Sequence, residues 1–123
     1  MEAEPDEPCR YAVRLHGHAT RDINEIVVEL AESVSINHAN EWKTGLKDAF
    51  AGLAEFPRRY PLAAERFRGE VRHLVYRRYR VFFTILNEDA ASEDPPTVVI
   101  MGLRHVASRP LTRREIRQIE AGE

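Results

Sequence analysis

The sequence predicts an α+β domain. It should be a small antiparallel, partly mixed β-sheet with an N-terminal antiparallel helix hairpin packed on one face, in the order β-α-α-β-β-β-α. Three observations carry this prediction. Apolar residues recur every three or four positions through two adjoining stretches before residue 57, the period of amphipathic helices. After residue 70 they alternate with polar residues, the period of strands. The link between the two helical stretches is very short, which makes the helices antiparallel neighbours. Two helices on one face of a small sheet form an α+β layer architecture.

Each element has its own signal. Tyr11–Leu15 (YAVRL) alternates and reads as a short strand, expected at a sheet edge beside the last strand or the hairpin. Residues 19–34 bring Ala19, Ile23, Ile26, Val27, Leu30 and Val34 onto one helical stripe. Asp22, Glu25, Glu29 and Glu32 give that helix an acidic, solvated face. Ser35 or Asn37 is placed to cap a second helix. Its buried stripe should be Ala39, Trp42, Leu46, Ala49, Phe50, Leu53 and Phe56, and Pro57 should close it. Residues 57–69, with two prolines and Gly69, read as a loop. Val71–Val75, Tyr79–Leu86 and Thr97–Leu103 are predicted strands, the last reached through the polar, proline-bearing stretch 87–96. Leu111–Ile119 is a final short helix, with Thr112 and Glu115 spaced as a capping box.

Composition bounds the class. A chain of 123 residues suits one domain, and hydrophobic residues at 43% supply a core. Cys9 is the single cysteine, so no intramolecular disulfide forms, and a reducing, cytoplasmic setting is the simplest expectation. No apolar run approaches the length of a membrane span, and the first residues, MEAEPDEPCR, are the reverse of a signal peptide. Residues 1–10 are expected to be a disordered acidic tail and residues 11–123 a single domain. His16, His18 and His38 lack the cysteine or carboxylate that would complete a metal site, so neither metal nor cofactor is expected.

Net charge is only -2, but its distribution is uneven. Residues 57–86 hold Arg58, Arg59, Arg66, Arg68, Arg72, Arg77, Arg78 and Arg80 against two acids, Glu65 and Glu70. Arginine forms bidentate bonds to phosphate or carboxylate, which lysine does not. In the predicted strand from Tyr79, the residues Tyr79, Val81, Phe83 and Ile85 should face the helices, leaving Arg80, Phe82 and Thr84 on the far face. Two hairpin registers compete. A two-residue turn at Arg77–Arg78 would pair Leu74 with Val81 and put Arg72 on the core face. An odd-length loop or bulge would put Arg72, Leu74 and Tyr76 on the outer face with Arg80 and Phe82. The second is preferred, because it keeps Arg72 out of the core and because a two-residue turn favours Asn-Gly over Arg-Arg. The outer face would then show arginines among aromatics, a surface for RNA or an acidic protein segment, or simply a solvated sheet face.

Several short motifs recur in a telling order. They are YAVRL, the A-x-x-D-I-x-x-I of Ala19 to Ile26, the A-x-x-W of Ala39 and Trp42, and the L-x-x-F-P of Leu53 to Pro57. The Arg72 strand, the Y-R-V of Tyr79 to Val81 and the R-H-x-x-x-R of Arg104 to Arg109 complete the set. Together they resemble the RelE/ParE superfamily of bacterial toxins, often called plasmid stabilisation proteins. The resemblance runs from Tyr11 to about Arg109. It implies the toxin of a type II toxin–antitoxin pair, with a cognate antitoxin as partner. It also implies either of two targets: the ribosome and its mRNA, in the branch that cleaves mRNA, or DNA gyrase, in the other.

A metal-free RNA cleavage needs a proton carrier and cations around the phosphate. Here His105 is the candidate proton carrier, and Arg80 and Arg72 are the candidate phosphate stabilisers. Arg68, Arg77, Arg78, Tyr76, Phe82, Arg104 and Arg109 are the candidate nucleic-acid or antitoxin contacts. The sequence departs from the ribonuclease branch in one respect. The segment VASRPLTRR after the last strand carries neither the tyrosine nor the second histidine common there, and lysines are absent from the sheet. Three readings therefore stand: a growth-arresting toxin, an inactive toxin-fold binding module, and a ribonuclease built on His105 and the arginines.

Overall fold

A computed structural model describes residues 10–89 and 91–122. The expected tail over residues 1–10 therefore falls, apart from Arg10, outside the described residues. The elements are β1 (Ala12–Leu15), α1 (Gly17–Ser33), α2 (Ile36–Leu53), a 3-10 turn (Pro57–Arg59), β2 (Arg72–Tyr76), β3 (Tyr79–Leu86), β4 (Thr97–His105) and α3 (Arg113–Ala121). This is the predicted order. The sheet runs β1-β4-β3-β2, with β1 parallel to β4 at one edge and the other pairs antiparallel.

The helix boundaries have local causes. The Ser35 hydroxyl accepts the His38 N–H at 3.0 Å and starts α2. At α3, Thr112 and Glu115 form the expected capping box, and Gly122 takes the left-handed conformation that ends the helix. Helix α2 stops at Leu53, a little before the proline expected to close it, and Phe56 lies half exposed rather than in the buried stripe. The α1–α2 hairpin lays Ile23, Ile26, Trp42, Leu46, Phe50 and Leu53 over Leu74, Val81, Phe83, Val98, Ile100 and Leu103.

The opposite sheet face is also covered. Phe82 is 0% exposed. It packs with Val71, Met101 and Ile119, and Phe67 and Leu111 flank the cluster. The loop after α2 and the amphipathic α3 thus roof the face expected to display arginines. An open outer face carrying Phe82 is corrected on this point: Ile119, Leu111 and Phe67 supply the apolar partners that remove it from water.

The hairpin register is the second correction. Leu74 pairs with Val81 and Tyr76 with Tyr79, leaving Arg77–Arg78 as a two-residue turn. Both residues adopt positive φ, 44° and 73°, as a type I′ turn requires. Arg72 therefore faces the helix side opposite Phe83. It is not a lone core charge, because its guanidinium donates to the Tyr60 carbonyl at 2.6 Å. His73 moves to the outer face, where it stacks on Phe82.

A bulge in β4 completes the frame. Phe82 pairs with Gly102 but Phe83 pairs with Ile100, so Met101 is the extra residue. Just past it, the Leu103 N–H donates to the Asp22 carboxylate of α1 at 3.0 Å. Burial pushes the Asp22 carboxyl up from its ordinary range, and that N–H and His18 oppose the shift. Gly102 suits this close approach, since a Cβ there would meet His18 at 3.1 Å and Asp22 at 3.2 Å.

Candidate functional site

The sheet sorts the sequence-predicted site residues onto different faces. Tyr79 and His105 form one register pair and Arg80 and Arg104 the next. Consecutive strand residues point to opposite faces. His105 therefore shares the helix side with Tyr79, while Arg80 and Arg104 lie on the α3 side. Arg72 returns to the helix side, but four rungs away from His105, about 13 Å along the strands. His105, Arg80 and Arg72 do not converge.

The arginines of the α3 side are engaged within the chain. Arg80 makes a two-pronged bond to Glu65 at 2.5 and 3.0 Å, donates to His73 Nδ1 at 3.2 Å, and lies 4.6 Å over the Phe82 ring. Arg80 holds the Glu65 carboxyl below its ordinary range by hydrogen bonding. Burial, then the Arg80 charge, pushes His73 down. Arg104 donates to the Arg109 carbonyl at 2.7 Å. Arg109 grips both oxygens of Glu115 at 2.9 Å, and with the Thr112 N–H it brings that carboxyl down to about 2. The Arg68 backbone N–H donates to Glu120 at 2.7 Å, tying the loop to α3. Glu65 and Glu115 thus neutralise Arg80, Arg104 and Arg109, three of the sequence-predicted site residues.

A different arrangement forms where the tip of the helix hairpin meets the β2–β3 turn. A cleft of about 510 Å³ opens there, lined by Leu30, His38, Trp42, Arg77, Arg78, Tyr79 and His105. Trp42 is only 2% exposed, and its indole nitrogen has no hydrogen-bond partner among the described residues. Tyr79 packs T-shaped against Trp42 at 5.5 Å and against His105 at 5.1 Å. His105 Nδ1 accepts the Ala107 N–H at 3.0 Å, so its ring proton belongs on Nε2. Arg77 lies 5.5 Å over the Tyr76 ring, and the Tyr76 hydroxyl donates to the Trp42 carbonyl at 2.8 Å. Burial raises the Tyr76 and Tyr79 phenols above their ordinary range.

Sequence reasoning had Arg77, Arg78, Tyr76 and His105 as candidates but missed the cleft. Its missing walls carry a readable signal. His38 and Trp42 stand four apart on α2 and so share a helix face. His38 had been weighed only as a metal ligand, beside His16 and His18. Among the described residues, no group of three His, Cys, Asp or Glu side chains is placed to hold a metal ion. No helix among them is long and apolar enough to cross a membrane.

Comparison with known proteins gives this fold a family. Residues 13–110 match the family described as the ParE toxin of type II toxin–antitoxin systems, parDE. The chain belongs to that family. Among solved structures, it is similar to the toxin–antitoxin complex RelBE2 from Mycobacterium tuberculosis, at 22% identity and a TM-score of 0.53. That likeness covers 81% of this chain and 95% of the other, and it concerns the fold. No curated protein matches.

Proposed function

We propose that this protein is the toxin of a type II pair, held inactive by a cognate antitoxin, and that it arrests growth by binding DNA gyrase rather than by cutting mRNA. One observation carries the choice of target. The candidate proton carrier His105 and the candidate phosphate stabiliser Arg80 lie on opposite faces of the sheet, and Arg72 lies four rungs from His105. In-line attack by a 2′-hydroxyl needs base, acid and cations around one phosphorus. The arrangement of these three residues supports a binding mode of action instead. Membership of the ParE family supports the same reading.

The test is induction of this chain alone in a bacterial host, with new DNA and new protein labelled separately. DNA synthesis should fail first, and the purified protein should inhibit supercoiling by gyrase. Failure of protein synthesis first, with mRNA cut at ribosomes, would overturn the choice of target. Unimpaired growth would leave the inactive binding module as the better reading.

A further inference from the structure

We propose that the cleft between the tip of the helix hairpin and the β2–β3 turn binds a peptide segment of a protein partner, seating a single carboxylate on Arg77 and Arg78 and an apolar side chain against Leu30 and Tyr79. The inference rests on the reading above only in taking the ligand to be a protein partner.

The cleft offers donors and lacks acceptors for them. Arg77 and Arg78 are exposed, and neither guanidinium forms an ion pair or hydrogen bond among the described residues. His105 keeps an Nε2 proton. His38 sits in the first turn of α2, where the helix dipole favours negative charge. A carboxylate is the acceptor-only group that answers such a set.

The turn adds an independent argument. Asn-Gly fits a type I′ turn without strain, yet here two arginines hold positive φ, 44° and 73°. Such backbone costs stability and marks places where the side chains are kept for another purpose. The surroundings then choose among anions. Glu41 and Asp48 line the neighbouring groove that shares Arg77, and the Glu29 charge acts on Tyr79. That acidic border repels a run of phosphates but tolerates a single carboxylate. Trp42 is buried and Tyr79 is packed against both Trp42 and His105, so the aromatic walls are not free to stack bases.

Trp42 is the only tryptophan, so its emission reports on the cleft. The purified protein is titrated with a short acetylated, amidated peptide carrying one glutamate beside a leucine. The same peptide with glutamine, and a thymidine oligonucleotide, serve as competitors of different chemistry. The glutamate peptide should give a saturable emission change, weakened at least about tenfold in the glutamine version, which corresponds to ~1.4 kcal/mol. The double variant Arg77→Asn with Arg78→Gly should lose binding while its thermal midpoint rises by about 3–6 °C, because the turn is relieved. A gain in stability excludes unfolding as the cause of lost binding. Equal binding of the glutamine peptide, tighter binding of the oligonucleotide, full binding by the double variant, or no saturable change would each overturn the proposal. The titration reads the same whether or not the chain arrests growth, so its failure is separate from failure of the proposed function.

Discussion

Gly45→Ala should destabilise this protein, against the usual rule. Gly45 lies inside α2, where alanine ordinarily improves a helix by about 1 kcal/mol. Here a Cβ would fall 2.2 Å from the Tyr76 hydroxyl oxygen and 3.2 Å from the ring carbon bearing it. Tyr76 must therefore move. Its hydroxyl now donates to the Trp42 carbonyl at 2.8 Å, and its ring stands 5.7 Å from the indole. Losing that hydrogen bond costs about 1 kcal/mol, and losing the ring contact costs about 1 kcal/mol more. Set against the helix gain, the net loss is about 1 kcal/mol, a fall of about 3–6 °C in the thermal midpoint. Circular dichroism during heating and urea titration measures it. In a Tyr76→Phe background the offending oxygen is gone, so Gly45→Ala should cost less there, with a coupling of about 1 kcal/mol. A rise in midpoint in the otherwise native chain, with no coupling to Tyr76, would refute the reasoning. It would also refute the hairpin register, because only the two-residue turn brings Tyr76 over α2.

Two further outcomes follow from the packing and the charges. Trp42→Ala should cost about 3–5 kcal/mol in urea unfolding, since a large side chain at the centre of the helix–sheet core leaves a cavity. Glu115 has a folded pKa of about 2, below its ordinary 4.5, so the stability it contributes is full above pH 4.5 and is lost as the pH falls towards about 2. Glu115→Gln should accordingly be less stable than the native chain at neutral pH. That difference should shrink towards zero in melts taken between pH 4.5 and about 2.

Periodicity made the helix hairpin, the strands and the last helix legible, because each helix buries one face against the sheet, the hairpin on one side and the last helix on the other. What was not legible was where α3 and the 57–71 segment would go. Ile116 and Ile119 announced an apolar stripe, but a stripe does not name the surface that it will cover. With that roof missing, Phe82 and Arg80 read as an open binding face. The Arg77–Arg78 turn was obscured for a local reason, since turn preference argues against two side chains at positive φ. The Arg72 guanidinium was misplaced by the same step, because the carbonyl of Tyr60 that accepts from it belongs to a stretch with no period to read. The β4 bulge at Met101 left no trace in the alternation, and its capture by Asp22 is a tertiary contact across most of the chain. In the candidate site, Arg77, Arg78 and His105 were visible as charged or titratable residues. Trp42 and His38 were hidden behind the duller roles of core filler and metal candidate.

The parallel pairing of β1 with β4 has a consequence for how this molecule comes into being. Leu15 of β1 pairs with Ile100 of β4, far along the chain, so β1 is synthesised well before the strand it pairs with. Closing so long a loop is slow, because its entropy is lost before the contact repays it. The α1–α2 hairpin can form during synthesis, yet its apolar stripe has no sheet to rest on until β4 emerges. For that interval the nascent chain exposes Trp42, Leu46 and Phe50 and is vulnerable to aggregation or capture. The toxin-family fold is thereby withheld until β4 has been made and has joined the sheet.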